Sequence, residues 1–98
     1  MDGLAIDCIS GQCPVQAWGV IDGREFYFRS RHAHWSLTVY KPATTRSDIA
    51  AMEWSRREPW GEQEHDASWM PHDEARRMIE RAATKYRAFR ARKAMGEA

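Results

Sequence analysis

The chain predicts an α+β fold: an antiparallel sheet of about four strands, arranged as a meander, with one long carboxy-terminal helix packed on one face. Three observations carry the prediction. Residues 15–41 alternate between apolar and polar side chains with period 2 and are rich in β-branched and aromatic residues. Asp22-Gly23 stands between two such runs, and a two-residue type I′ turn needs φ > 0 at both positions, which these residues tolerate. From Pro71 onward, Ala75, Met78, Ile79, Ala82, Tyr86 and Phe89 recur at spacings of three and four, the stripe of an amphipathic helix.

Taken in order, a first strand covers residues 4–9, with Leu4 and Ile6 on one face and Cys8 in register. Ser10-Gly11-Gln12 is a turn, and Cys8 and Cys13 flank it nearly opposite each other. Pro14 lacks a backbone donor and suits a strand end or edge. A strand over residues 15–21 directs Trp18 and Val20 inward. After the Asp22-Gly23 turn, residues 24–30 place Phe26 and Phe28 inward and Glu25, Tyr27 and Arg29 outward. The connection near Arg31-His32-Ala33 leads into residues 34–41, where Trp35, Leu37 and Val39 face in and His34, Ser36, Thr38 and Tyr40 face out.

Residues 44–68 admit two readings. Thr45-x-x-Asp48 resembles a capping box, and Ile49, Met52 and Arg56 would continue a short helix behind it. The other reading is a strand from Ile49 to Trp54. Arg57-Glu58-Pro59-Trp60-Gly61 reads as a break, followed by an acidic loop of Glu62, Glu64 and Asp66 around His65. The helix spans about 71–94. Pro71 suits its start, Asp73 and Glu74 meet the positive end of the macrodipole, and Arg90, Arg92 and Lys93 meet the negative end.

Ninety-eight residues make one domain. The apolar share of 43% is ordinary for a globular chain, which argues against disorder. A net charge of +1 argues against a polybasic nucleic-acid binder read from the whole chain. No apolar run is long enough for a membrane span, and Asp2 and Asp7 interrupt any secretory signal, so the expectation is a cytoplasmic protein with reduced thiols.

Two polar surfaces are candidate binding sites. The outer face of the helix carries Arg76, Arg77, Arg81, Lys85, Arg87, Arg90, Arg92 and Lys93. This is either an electrostatic footprint for nucleic acid or an acidic protein, or a solvated face offset by the acids at 58–66. The outer sheet face carries Tyr27, Arg29, His34 and Tyr40. Aromatic residues beside arginine suit a protein-recognition patch, stacking on bases, or plain cross-strand pairing.

Chemistry-bearing groupings are weaker. Cys8, Cys13, His32 and His34 have the ligand types for tetrahedral zinc without the usual spacing. His65 and His72, among Glu62, Glu64, Asp66 and Asp73, form a loose acid–base grouping. Neither a nucleophilic triad nor a phosphate-binding glycine loop is present, so no catalytic, metal or cofactor assignment is made. Trp54, Trp60 and Trp69 are expected to fold back as a lid on the core, and any that stays exposed would be the best hot-spot candidate.

The run Cys13-Pro14-Val15-Gln16-Ala17, Gly19-x-Ile21-Asp22-Gly23-Arg24-x-Phe26-Tyr27-Phe28-Arg29-x-Arg31 and Trp35-Ser36, with Trp69-Met70 and Asp73-Glu74-Ala75, resembles short uncharacterised proteins of phages and prophage-rich bacteria. The resemblance implies a small protein that binds and blocks a host protein complex, as anti-CRISPR proteins do, and carries over no site residues. The expected function is thus a small non-enzymatic binding protein, monomer or homodimer, with a protein partner. The alternative is a nucleic-acid-binding module. The residues expected to touch the partner are Tyr27, Arg29, His34, Tyr40, Arg77, Arg81 and Lys85.

Overall fold

A computed structural model describes residues 2–12, 14–42 and 52–96. The element order is β1 (Leu4–Ser10), β2 (Val15–Ile21), β3 (Arg24–Arg31), β4 (His34–Tyr40), β5 (Met52–Pro59), a 3-10 turn (Asp66–Trp69) and α1 (His72–Ala94). The strands form one antiparallel meander in the order β1-β2-β3-β4-β5, with α1 packed on one face.

The Asp22-Gly23 turn sets the register. Its φ values of 49° and 84° are those of a type I′ turn. Ile21 pairs with Arg24, so Gly19 falls opposite Phe26 and Ala17 opposite Phe28. Directly opposed residues share a sheet face. Phe26 and Phe28 therefore carry Gly19 and Ala17 inward with them, and Val15, Ala17 and Ile21 line the core. Trp18 and Val20, expected inside, lie on the outer face, Trp18 opposite Tyr27. Gly19 is needed where it sits: an added Cβ would meet the Ala5 carbonyl oxygen at 2.1 Å and the Phe26 ring at 2.9 Å.

A second register feature moves Cys8. The β1–β2 pairing slips between Ile6 and Cys8, with Asp7 as the extra residue. Leu4, Ile6 and Ile9 consequently pack toward the core, while Cys8 falls opposite Trp18 on the outer face instead of following Leu4 and Ile6.

The sheet has a fifth strand beyond the four expected, and over Met52–Trp54 it follows the strand reading of this segment. β5 begins at Met52 and runs to Pro59, so Arg57-Glu58-Pro59 extends the strand rather than breaking the chain, and the helical reading of Met52 and Arg56 is replaced. Pro59 closes an edge strand, where a missing donor is tolerated. The capping box at Thr45 and the position of Cys13 lie outside the described residues.

The helix meets the sheet through a stripe that mixes small and large side chains. Ala75, Ile79, Ala82, Ala83 and Tyr86 are buried against Phe26, Phe28, Trp35, Leu37 and Val39, with Met78 and Phe89 at the margins. Pro71 stands just before the helix and accepts its first backbone hydrogen bond, from Ala75 N at 2.9 Å. Among the described residues no helix is long and apolar enough to cross a membrane.

Candidate binding surfaces

The helix covers one face of the sheet, and no described element packs on the other. That outer face has rows set by the register. Cys8, Trp18, Tyr27, Thr38 and Ser55 lie across its middle, and Gln16, Arg29, Ser36 and Arg57 form the adjoining row. Tyr27, Arg29 and His34 are half-buried there. The Tyr27 hydroxyl donates to Gln16 Oε1 at 2.7 Å, which fixes the ring against β2. Tyr40, expected on display, is only 7% exposed and does not present its ring to a partner.

At one end of this face the β3–β4 turn is pinned from below. His32 has φ 58°, a positive value that histidine adopts more readily than most residues. Its backbone is held on both sides: His32 N donates to Ser68 Oγ at 2.9 Å, and His32 O accepts from Ala67 N at 2.8 Å. The buried Ser30 hydroxyl donates to Ala67 O at 2.7 Å. These bonds fasten the 3-10 turn to β3 and position His32 and His34 beside each other on the sheet rim. Arg57 Nη2 lies 3.2 Å from His34 Nδ1. Burial pushes the His34 imidazole below its ordinary value, and the charge of Arg57 lowers it further.

Four of the eight cations on the outer face of α1 are paired within the fold. Arg90 reaches Glu53 at 2.7 Å, Arg87 reaches Asp22 at 2.9 Å, Arg81 reaches Glu58 at 2.9 Å and Arg77 reaches Glu74 at 2.7 Å. The acids come from β5, from the β2–β3 turn and from the helix itself, not chiefly from the acidic loop. Glu53 is the hub. Its side chain is 6% exposed, accepts from the Tyr86 hydroxyl at 2.9 Å, and also meets Arg24 at 3.1 Å. Tyr86 is held protonated well above the ordinary tyrosine range by its burial and by this hydrogen bond to Glu53. Of the expected helix contacts, Arg77 and Arg81 are thus tied into ion pairs, whereas Lys85 enters none among the described residues.

The chemistry-bearing groupings disperse. His32 and His34 sit at the β3–β4 turn, while Cys8 is on the far edge strand, two strands and several residues away. His72 Nε2 lies 3.1 Å from Gly11 O, and His65 stacks near His32 with ring centroids 5.8 Å apart, so His65 and His72 do not form one cluster. Among the described residues no group of three or more His, Cys, Asp or Glu side chains is placed to hold a metal ion.

Trp54 and Trp60 pack against the core as expected of a lid, but Trp69 is 57% exposed. It lines an open cleft of about 440 Å³ with Trp60, Glu62, Gln63 and Asp66, at the same end of the molecule as His32. Sequence reading missed Trp18 and Arg57 as outer-face residues. The turn register would have found Trp18, since it pairs with Tyr27. Comparison with protein-family models, with curated proteins and with solved structures gives no match for this chain.

Proposed function

We propose that the protein is a small non-enzymatic binding protein that docks a protein partner on the open sheet face, an inhibitor of a host complex of the phage type that its sequence resembles. The observation that supports this is the pairing of Trp18 with Tyr27 on the face opposite the helix, beside Arg29 and Arg57. Large rings and arginine are the side chains that carry most binding energy at protein interfaces. Trp69, 57% exposed in a separate cleft with Trp60, Glu62 and Asp66, is a second candidate contact.

The same rings and arginines support a second reading, a single-stranded nucleic acid stacked on the sheet. The helix adds less to it than its composition suggests, because Arg77, Arg81, Arg87 and Arg90 are partnered by Glu74, Glu58, Asp22 and Glu53.

Affinity capture from lysate, with and without nuclease, separates the two. The protein reading expects one complex that survives nuclease and is lost with Tyr27→Ala and with Trp69→Ala, while circular dichroism and the melting transition stay as in wild type. Recovery that collapses on nuclease treatment sinks the protein reading and transfers the face to nucleic acid.

A further inference from the structure

The β3–β4 end of the outer face holds a pocket of about 200 Å³ lined by Arg29, Arg31, His32, His34 and Ser36. Register explains why these side chains converge. Arg29 pairs with Ser36 and Arg31 with His34, so the four form a block of adjacent outward positions, and the turn residue His32 closes one side. Every lining side chain can donate a hydrogen bond, and no carboxylate lines the pocket.

Two further observations say what such a set would hold. Arg29 Nε is buried and has no hydrogen-bond partner. A buried, unpaired donor is costly and rare in folded chains, more so on a charged group. The other buried unpaired donor among the described residues, Trp35 Nε1, sits in the apolar core, whereas Arg29 belongs to the lining of this pocket. Second, Arg57 faces His34 Nδ1 at 3.2 Å. Arginine only donates, so Nδ1 accepts, and the neutral ring carries its proton on Nε2. His34 is therefore a donor without being charged.

We propose that this pocket is a phosphate-binding site, taking a phosphate dianion either free or as the terminal phosphoryl group of a small molecule. A tetrahedral anion with several oxygens matches guanidinium forks, imidazole N–H groups and a hydroxyl converging from separate strands. A carboxylate, with two oxygens, leaves donors unused. Nε is itself closed to solvent, so the Arg29 guanidinium must turn for phosphate to supply the acceptor that Nε lacks. The proposal stands independently of the macromolecular partner, because a small anion would bind whether or not a protein docks on the same face.

The test is a titration of the full chain followed by NMR, with inorganic phosphate, with glycerol 3-phosphate, and with sodium chloride at matched ionic strength. The site predicts saturable one-to-one shifts at Arg29, His32 and His34 with the phosphates and not with chloride. It also predicts that the His34 titration moves upward when phosphate is bound, since an anion favours the imidazolium. Arg29→Lys keeps the charge and the stem but removes the fork and Nε, and weakens binding about tenfold or more. Ser36→Ala weakens it less, and Lys85→Ala, on the helix, leaves it unchanged. Tighter binding of the monoester assigns the site to a carried phosphoryl group, and equal binding assigns it to free phosphate. Shifts that do not saturate, that chloride reproduces, or that survive Arg29→Lys at full affinity overturn the proposal.

Discussion

Replacing Glu53 with glutamine probes the joint between the helix and the fifth strand. The carboxylate is 6% exposed and serves three donors: Arg90 at 2.7 Å, Tyr86 at 2.9 Å and Arg24 at 3.1 Å. A hydrogen bond to a charged group contributes about 1.5–3 kcal/mol. The Arg90 side chain is 39% exposed, so solvent screens most of its share. Glutamine still offers Tyr86 an acceptor. What is lost is the charge facing Arg24, whose side chain is 16% exposed, together with part of the Arg90 contact. The expected cost of Glu53→Gln is about 2–4 kcal/mol, or a fall in Tm of about 10–20 °C for a chain of this size. Denaturant titration should show a lower midpoint with an unchanged slope. The pH dependence has a definite sign. Burial pushes the Glu53 carboxyl up, but the hydrogen bonds from Tyr86 and Arg90 and the charges of Arg90 and Arg24 outweigh it and hold the group below its ordinary range. The folded state then binds a proton less readily than the unfolded chain. The stabilisation is complete above the unfolded glutamate value of about 4.3 and is lost as pH falls through the folded value. The gap between wild type and Glu53→Gln should narrow as the solution is acidified below about pH 4.5. A variant within about 0.5 kcal/mol of wild type at neutral pH, or a gap that widens in acid, would refute the account of Glu53 as the hub.

Three further outcomes are expected. Gly19→Ala drives a methyl group into the Ala5 carbonyl and the Phe26 ring, and should destabilise by about 3 kcal/mol or more, read as a collapse of the β1–β2 amide protection in hydrogen exchange. Ser30→Ala leaves Ala67 O without its donor and should cost about 1–2 kcal/mol, with faster exchange at the Ala67 amide as the 3-10 turn loosens from β3. His32→Gly relieves a non-glycine residue at φ 58° while keeping its backbone bonds, so stability by thermal melt should stay within about 0.5 kcal/mol of wild type; a larger loss would make the His32–His65 ring contact structural.

How much of this could be read from the chain depends on which physics was local. The Asp22-Gly23 turn, the alternation through residues 34–40 and the three-four spacing after Pro71 are short-range signals, and the strands and helix they predict are where they were expected. The error on β2 came from treating one strand alone. Trp18 and Val20 look more apolar than Ala17 and Gly19, but the two-residue turn ties β2 to β3, and Phe26 and Phe28 decide which face goes inward. The Asp7 bulge has no short-range signature; it is a property of the pairing, and it alone moves Cys8 to the other face. At β5 composition left the strand reading level with the helical one. Met-Glu-Trp-Ser-Arg-Arg-Glu-Pro is charged on both faces because Glu53 and Glu58 point to the cations of the helix, so hydrophobic alternation is absent even though the strand is paired along its length.

The same charges separate the two candidate surfaces. A net charge of +1 conceals a segregated arrangement. Glu53, Glu58, Asp22 and Glu74 are matched to cations of the helix and of neighbouring strands, where they join α1 to the sheet edge and the β2–β3 turn. Among the described residues no carboxylate pairs with Arg29, Arg31 or Arg57 on the outer face. Asp66, close in sequence to His65, is turned into its own loop by the amides of Glu62 and Gln63 at 2.8 Å. If the outer face docks the partner as proposed, substitutions on the two faces should separate: those at Glu53 and its ion-pair partners move the melting transition, and those at Arg29 and Arg57 move affinity.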